Sequence, residues 1–216
     1  MNAPWLESLP LLADGLLITL QVTLLASLVA LLLAAAAGLA RLSRYAIIRG
    51  IATGYVELFR SCSLLVLLFW VYFALPFLGI ELSKVTAAVL AIGLNIGAYG
   101  AEIVRSSIKA IPSGQHEAGI ALNLSPNERM LRIILPQAAA RMLPPFGNLL
   151  IELLKSTSLV YFITLSDLTY EAMVIRNNYY TWTPQIFGSL LIIYFILSSC
   201  VFVTFRLLER KLTAWR

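Results

Sequence analysis

Five stretches of the chain stay apolar for about the width of a bilayer, and polar residues collect between them. The first runs from Gly15 to Ala40 without a charge, and the second covers about Glu57 to Leu78, uncharged from Ser61 onward. The third lies between Val85 and Ile103, the fourth between Phe146 and Leu165, and the fifth between Ile186 and Phe205. A helix crosses the hydrocarbon core with about 20 mostly apolar residues, so each stretch predicts a transmembrane helix. The first has no basic leading region and exceeds the roughly 7–15 apolar residues of a signal peptide. It is expected to stay as an anchor.

Composition removes the soluble alternatives. Of 216 residues, 60% are hydrophobic and 12% charged, about half the charge content of an ordinary soluble domain. A fold this small could not hide that much apolar surface from water, and disorder requires the opposite composition. The expected class is an all-α integral membrane protein forming a single transmembrane domain over residues 1–216.

The net charge of +5 fits nucleic-acid binding only until the positions are read. Arg41, Arg44, Arg49 and Arg60 lie between spans one and two; Arg105, Lys109, Arg129, Arg132 and Arg141 lie between spans three and four. Arg206, Arg210, Lys211 and Arg216 come after span five, so thirteen of the sixteen basic residues fall on one side. Positive loops remain in the cytoplasm. That predicts an outer N-terminus, which carries Glu7 and Asp14, and a cytoplasmic C-terminus. Cys62 and Cys200 have no metal-binding or redox spacing and are expected to be buried packing residues. The single histidine, His116, leaves no basis for a histidine metal site.

The loop of residues 106–145 carries the clearest local signals. Pro112-Ser113 suits a helix start, a short helix is expected from about Gly114 to Leu122, and Asn123 is placed for a left-handed C-cap. Ser125, Pro126 and Glu128 form a capping-box pattern opening a second helix. Pro136 and Pro144-Pro145 are expected to limit that helix and redirect the chain after it. Such a helix-turn-helix could be a surface hairpin, a DNA reader or a docking lever. The mouth of a membrane bundle leaves little room for a duplex, which disfavours the second.

Within that loop, Glu117-Ala118-Gly119, Asn123, Ile133, Leu135 and Pro136 stand in the register of the cytoplasmic signature of ABC-transporter permeases. The chain resembles that family from about Leu16 to Arg210. Gly119 stands where the signature has Ala, and Asn123 where it has Gly. Arg41-Leu42-Ser43-Arg44, Tyr55-Val56-Glu57-Leu58-Phe59-Arg60 and Leu135-Pro136-Gln137-Ala138 resemble its polar amino-acid uptake branch. Gly97 to Glu102, Ala121 to Leu124 and Phe146 to Lys155 are similar to ectoine and hydroxyectoine permeases. After Arg60, Ser61-Cys62-Ser63 replaces the branch's usual Gly-Thr-Pro.

The resemblance implies a type I importer transmembrane fold and an ATPase-coupling elbow comprising Ser113, Gln115, Glu117, Ala118, Gly119, Leu122, Asn123 and Leu124. It also implies two cytoplasmic ATPase subunits carrying ATP and Mg²⁺, a second permease (identical or homologous) and an extracytoplasmic solute-binding protein. The location implied is the bacterial cytoplasmic membrane.

Charges near mid-bilayer cost about 2.5–3.5 kcal/mol and usually face a bundle interior or a wet cavity. Asn148, Glu152, Lys155 and Ser156 share one helical face of span four, with Thr157 beside them. Asn95, Tyr99 and Glu102 share a face of span three. One reading is structural: a Glu152–Lys155 pair and interhelical hydrogen bonds. The other is a path for a zwitterionic solute lined by Asn95, Glu152, Lys155, Ser156 and Thr157, with Glu57 and Glu102 as candidate gating residues. The chain has neither a phosphate-binding Gly-Lys-Ser/Thr loop nor an acidic Mg²⁺ motif, so it is expected not to be an enzyme and to hold no cofactor itself. An ATP-independent secondary transporter or channel subunit is the alternative. An intramembrane protease or acyltransferase is disfavoured because Ser156 and Ser158 lack a base.

Overall fold

The chain folds into helices α1 (Leu9–Ala40), α2 (Ala46–Ser61), α3 (Leu64–Phe69), α4 (Lys84–Lys109), α5 (Ser113–Ala121), α6 (Pro126–Arg129), α7 (Leu135–Ser156), α8 (Leu168–Asn178) and α9 (Thr183–Thr213). The computed structural model describes residues 9–213; Glu7 and Arg216 lie outside the described residues. Among the described residues, four helical stretches are long and apolar enough to cross a membrane, and a bent pair, Ala46–Ser61 with Leu64–Leu78, makes a fifth.

The spine of the bundle is α1 against α4. Ala26, Ala30, Ala34, Ala37 and Gly38 on α1 are buried, as are Gly93, Gly97, Gly100 and Ala101 on α4. Lipid offers no hydrophobic drive between two apolar helices, so close van der Waals contact between small residues holds them. A Cβ at Gly38 would stand 2.6 Å from Val104 Cβ, and one at Gly100 would stand 2.7 Å from Ala34 Cβ. Only hydrogen fits at either place. At its N-terminal end α4 begins on the Ser83 hydroxyl, which accepts from the Thr86 backbone N–H at 3.2 Å.

Span two departs from the expected single rod. Its helix breaks at Cys62-Ser63, both extended, and turns by 104°. The break leaves the last carbonyls of α2 without helical partners, a costly state at membrane depth. Side chains of α4 supply donors. Asn95 Nδ2 donates to Phe59 O at 2.7 Å and to Cys62 O at 3.5 Å, and Tyr99 Oη donates to Arg60 O at 3.2 Å.

Prolines also act differently from the sequence expectation. Pro136 does not end the helix: a π-turn over Met130–Ile134 precedes it, and the helical path runs from Pro126 to Ile163 with Pro144 and Pro145 inside α7. The same device precedes Pro76, where Trp70–Ala74 form a π-turn. A wider turn relieves the clash of the ring with the preceding turn and absorbs the missing N–H. Both cysteines prove exposed rather than buried, because in lipid an apolar side chain need not be inside.

The polar stretch after span four contains a helix, α8, packed on α1 and α9. Asp167 caps it, accepting from the backbone N–H groups of Tyr170 at 3.0 Å and Thr169 at 3.2 Å. Asp167 is fully buried, and burial pushes its carboxyl up to about 6 against the pull of those N–H donors. Thr19 of α1 joins the cap, its hydroxyl accepting from Leu168 N at 3.1 Å.

Candidate functional site

Two surfaces hold the polar residues singled out above. The first is the elbow between α4 and α7. Ile108 and Ile111 pack with Ile134 and Ala138 in one buried cluster, so α5 is mounted on the ends of two membrane helices. The helix begins one residue before the expected start, with Pro112 as N-cap and no side-chain bond from Ser113. It ends in a Schellman turn: Asn123 takes φ 55°, Leu124 N–H donates to Gly119 O at 3.0 Å and Asn123 N–H to Ile120 O at 2.8 Å. The two bonds satisfy otherwise free carbonyls. Ser125 and Glu128 then form the reciprocal capping box.

Residues of the elbow divide by what they face. Ser113, Glu117, Ala118, Leu122 and Asn123 are exposed, and Leu124 is half-buried. Ile120 is 60% and Leu122 70% exposed, a large apolar display for a helix nine residues long. Glu117 forms no hydrogen bond or ion pair among the described residues. Gln115 instead accepts a bond from Gln137 Nε2 at 2.9 Å, bracing α5 against α7. Gly119 is buried under Arg129: a Cβ there would stand 2.7 Å from Arg129 Cγ. That contact accounts for glycine at the signature's alanine position.

The second surface is the face of α7. A pocket of about 530 Å³ is lined by Asn148, Ile151, Glu152, Lys155, Ser156, Ser158 and Leu159. All seven belong to α7 and the 3₁₀ turn that continues it, so the pocket is an open depression on one helical face. Glu152 and Lys155 are exposed and do not pair with each other. The Glu152–Lys155 pair of the structural reading is thus not formed among the described residues. Two expected path residues are elsewhere. Asn95 is occupied by the carbonyls of α2, and Thr157 is fully buried with its hydroxyl donating to Leu154 O at 2.7 Å.

Glu102 is held by two cations at the end of α4. Arg41 Nη1 lies 2.6 Å from Glu102 Oε2, and Arg105 grips both carboxylate oxygens, with Nε 3.0 Å from Oε2. Arg41 also reaches Glu57 Oε1 at 3.7 Å. One network thus joins α1, α2 and α4. Sequence spacing could not show it, since Arg41 and Glu102 are 61 residues apart.

A bundle with one open polar pocket on α7 and one exposed elbow matches a known design. The family model for the inner membrane component of binding-protein-dependent transport systems covers residues 62–214. The chain belongs to that family. A probable amino-acid ABC transporter permease from Sinorhizobium fredii is 41% identical over 222 residues, which span all of this chain and 93% of the relative. The glutamine transport system permease of Escherichia coli is 36% identical over 98% of this chain and 96% of its own length. Among solved structures, an amino acid ABC transporter with histidines aligns at a TM-score of 0.87 and 33% identity, covering 98% of this permease and 100% of that chain. The permease is therefore an ABC importer transmembrane subunit.

Proposed function

We propose that this permease moves a small zwitterionic solute, a polar amino acid or ectoine, into the cytoplasm by alternating access. The observation that carries the reading is the α7 wall, where a carboxylate and an ammonium, unpaired among the described residues, stand one turn apart in a pocket. Opposite charges at that spacing suit a solute bearing both an amino group and a carboxylate, whose own neutrality limits its desolvation cost. A wall drawn from a single helix also requires a facing subunit to enclose the solute, which is the role of a second permease, identical or homologous. The names of the relatives support amino acids as the solute class.

In this mechanism the N-terminus is outside and the C-terminus in the cytoplasm. An extracytoplasmic binding protein delivers solute at the face of α8, and two cytoplasmic ATPase subunits clasp α5 through Glu117, Ile120 and Leu122. Closure of the ATPases around ATP and Mg²⁺ moves α5. The motion passes through the packed cluster of Ile108, Ile111, Ile134 and Ala138 to α4 and α7 together. The Arg41–Glu102–Arg105 network, with Glu57, holds the cytoplasmic ends of α1, α2 and α4 as one gating unit. Solute biases the cycle only through different affinities for the two states.

Replacing Glu117 with Lys tests the coupling. The ATPase subunits are expected to be lost on co-purification while membrane insertion and the melting temperature stay unchanged. Retained ATPase at full stoichiometry contradicts the docking, and uptake that survives ATP depletion but stops with a protonophore contradicts the importer reading.

A further inference from the structure

A second depression lies beside the α7 wall, toward the end of the bundle that carries Arg41 and Arg105. It has a volume of about 340 Å³, and its lining includes Arg60, Tyr99, Glu102, Asn148 and Glu152. Asn148 and Glu152 therefore border both depressions, the one with Lys155 and the one with Arg60. Arg60 is the cation of this second space. Its guanidinium carbon sits 5.2 Å from the centre of the Tyr99 ring. It forms no ion pair among the described residues, and its Nε is buried without a hydrogen-bond partner.

An unpaired, partly desolvated guanidinium is a poor structural element, because a buried donor left unmade costs stability. It is a good carboxylate receptor, since its planar fork matches the two oxygens. The Tyr99 ring fixes the plane of the fork, and Tyr99 is itself held by its bond to Arg60 O. Glu102 is engaged by Arg41 and Arg105 and forms no ion pair with Arg60.

We infer that Arg60 is a second carboxylate-binding station of the solute path, on the cytoplasmic side of Lys155. This rests on the zwitterion reading of the α7 wall. A solute keeps its amino group on Glu152, common to both depressions, while its carboxylate passes from Lys155 to Arg60. Glu152 is then the pivot and the two cations are the stations before and after it.

The test is equilibrium binding of radiolabelled glutamine, histidine and ectoine to the purified complex of permeases and ATPase subunits. Each amino acid's α-carboxamide serves as competitor. In Arg60→Gln, binding of the probe that the wild type holds best is expected to weaken at least tenfold. The wild type's preference for carboxylate over carboxamide is expected to shrink by a similar factor, and Arg60→Lys restores part of it. Glu152→Gln weakens binding without erasing that preference. Wild-type binding in Arg60→Gln alongside weakened binding in Glu152→Gln overturns the second station and leaves the α7 reading standing. Equal weakening for carboxylate and carboxamide marks Arg60 as a packing residue and also overturns the station. Wild-type binding in both variants, or no binding of any probe by the wild type, overturns both readings.

Discussion

Two polar stripes run along the bundle, one on α4 and one on α7, and they differ in whether their groups are already engaged. On α4, Asn95 and Tyr99 cap the broken end of α2, and Glu102 is clamped between Arg41 and Arg105. On α7, Asn148, Glu152 and Lys155 line open pockets, and the two charges have no ion-pair partner among the described residues. Both stripes look alike as residue spacings. The contrast teaches that a polar residue at membrane depth signals function only after the backbone groups it serves are accounted for, because lipid satisfies none of them. The same contrast appears in packing: 72% of the apolar window of the α4 span is buried against 6% in α9, so α4 is framework and α9 faces outward from this subunit.

The largest effect expected from this contrast falls on the engaged stripe. Asn95→Leu leaves the carbonyls of Phe59 and Cys62 without their donor, and thermal unfolding in detergent is expected to show a loss of about 2–3 kcal/mol. Wild-type stability in this variant would mean that the α2 break needs no cap.

Asp167, another engaged residue, is expected to give a pH-dependent effect of about 2–3 kcal/mol. Its carboxyl sits at about 6 rather than the ordinary 3.8, so the folded state holds the proton more tightly than the unfolded chain. Its contribution is therefore full at acid pH and is lost as pH rises from about 4 through about 6. Asp167→Asn keeps an N-cap of similar quality, and a series of melting curves is expected to lose that slope and to gain stability at neutral pH. Glu171, raised by burial and by the charge of Asp14, leaves a smaller residual slope in the same direction.

Glu102→Gln is expected to cost about 1–2 kcal/mol, since the carboxylate and its arginines are only part-buried and solvent screens the pairs. The melting temperature reads it directly. A loss confined to uptake, with unchanged melting, would give Glu102 its role in gating rather than in holding the bundle together.

The features legible in the sequence were those set by neighbours in the chain. Asn123 in the left-handed region and the Ser125–Glu128 box come from spacings of a few residues, and the five apolar lengths come from the bilayer. Asn95 was legible as polar but not as a cap, because its partner carbonyls are 36 and 33 residues away and the Cys62-Ser63 break has no proline to announce it. Pro136 misled because a π-turn, a backbone adjustment invisible in residue types, carries the helix past it. The helix α8 had a readable signal in Asp167 followed by Leu168, Ala172 and Ile175, an N-cap ahead of one apolar face. That Glu152, Lys155 and Ser156 share one pocket on α7 was readable from helical spacing. The place of Arg60 was not, because the depression it shares with Glu152 is built from α2, α4 and α7, a packing that no local spacing shows.

The most direct test of the contrast is Glu152→Gln in proteoliposomes containing the complete transporter and its binding protein, read as initial ATP-driven uptake beside the melting temperature. A solute-facing Glu152 predicts at least a tenfold loss of uptake with stability held within about 0.5 kcal/mol. Wild-type uptake, or a loss of stability comparable to that of Asn95→Leu, would contradict it.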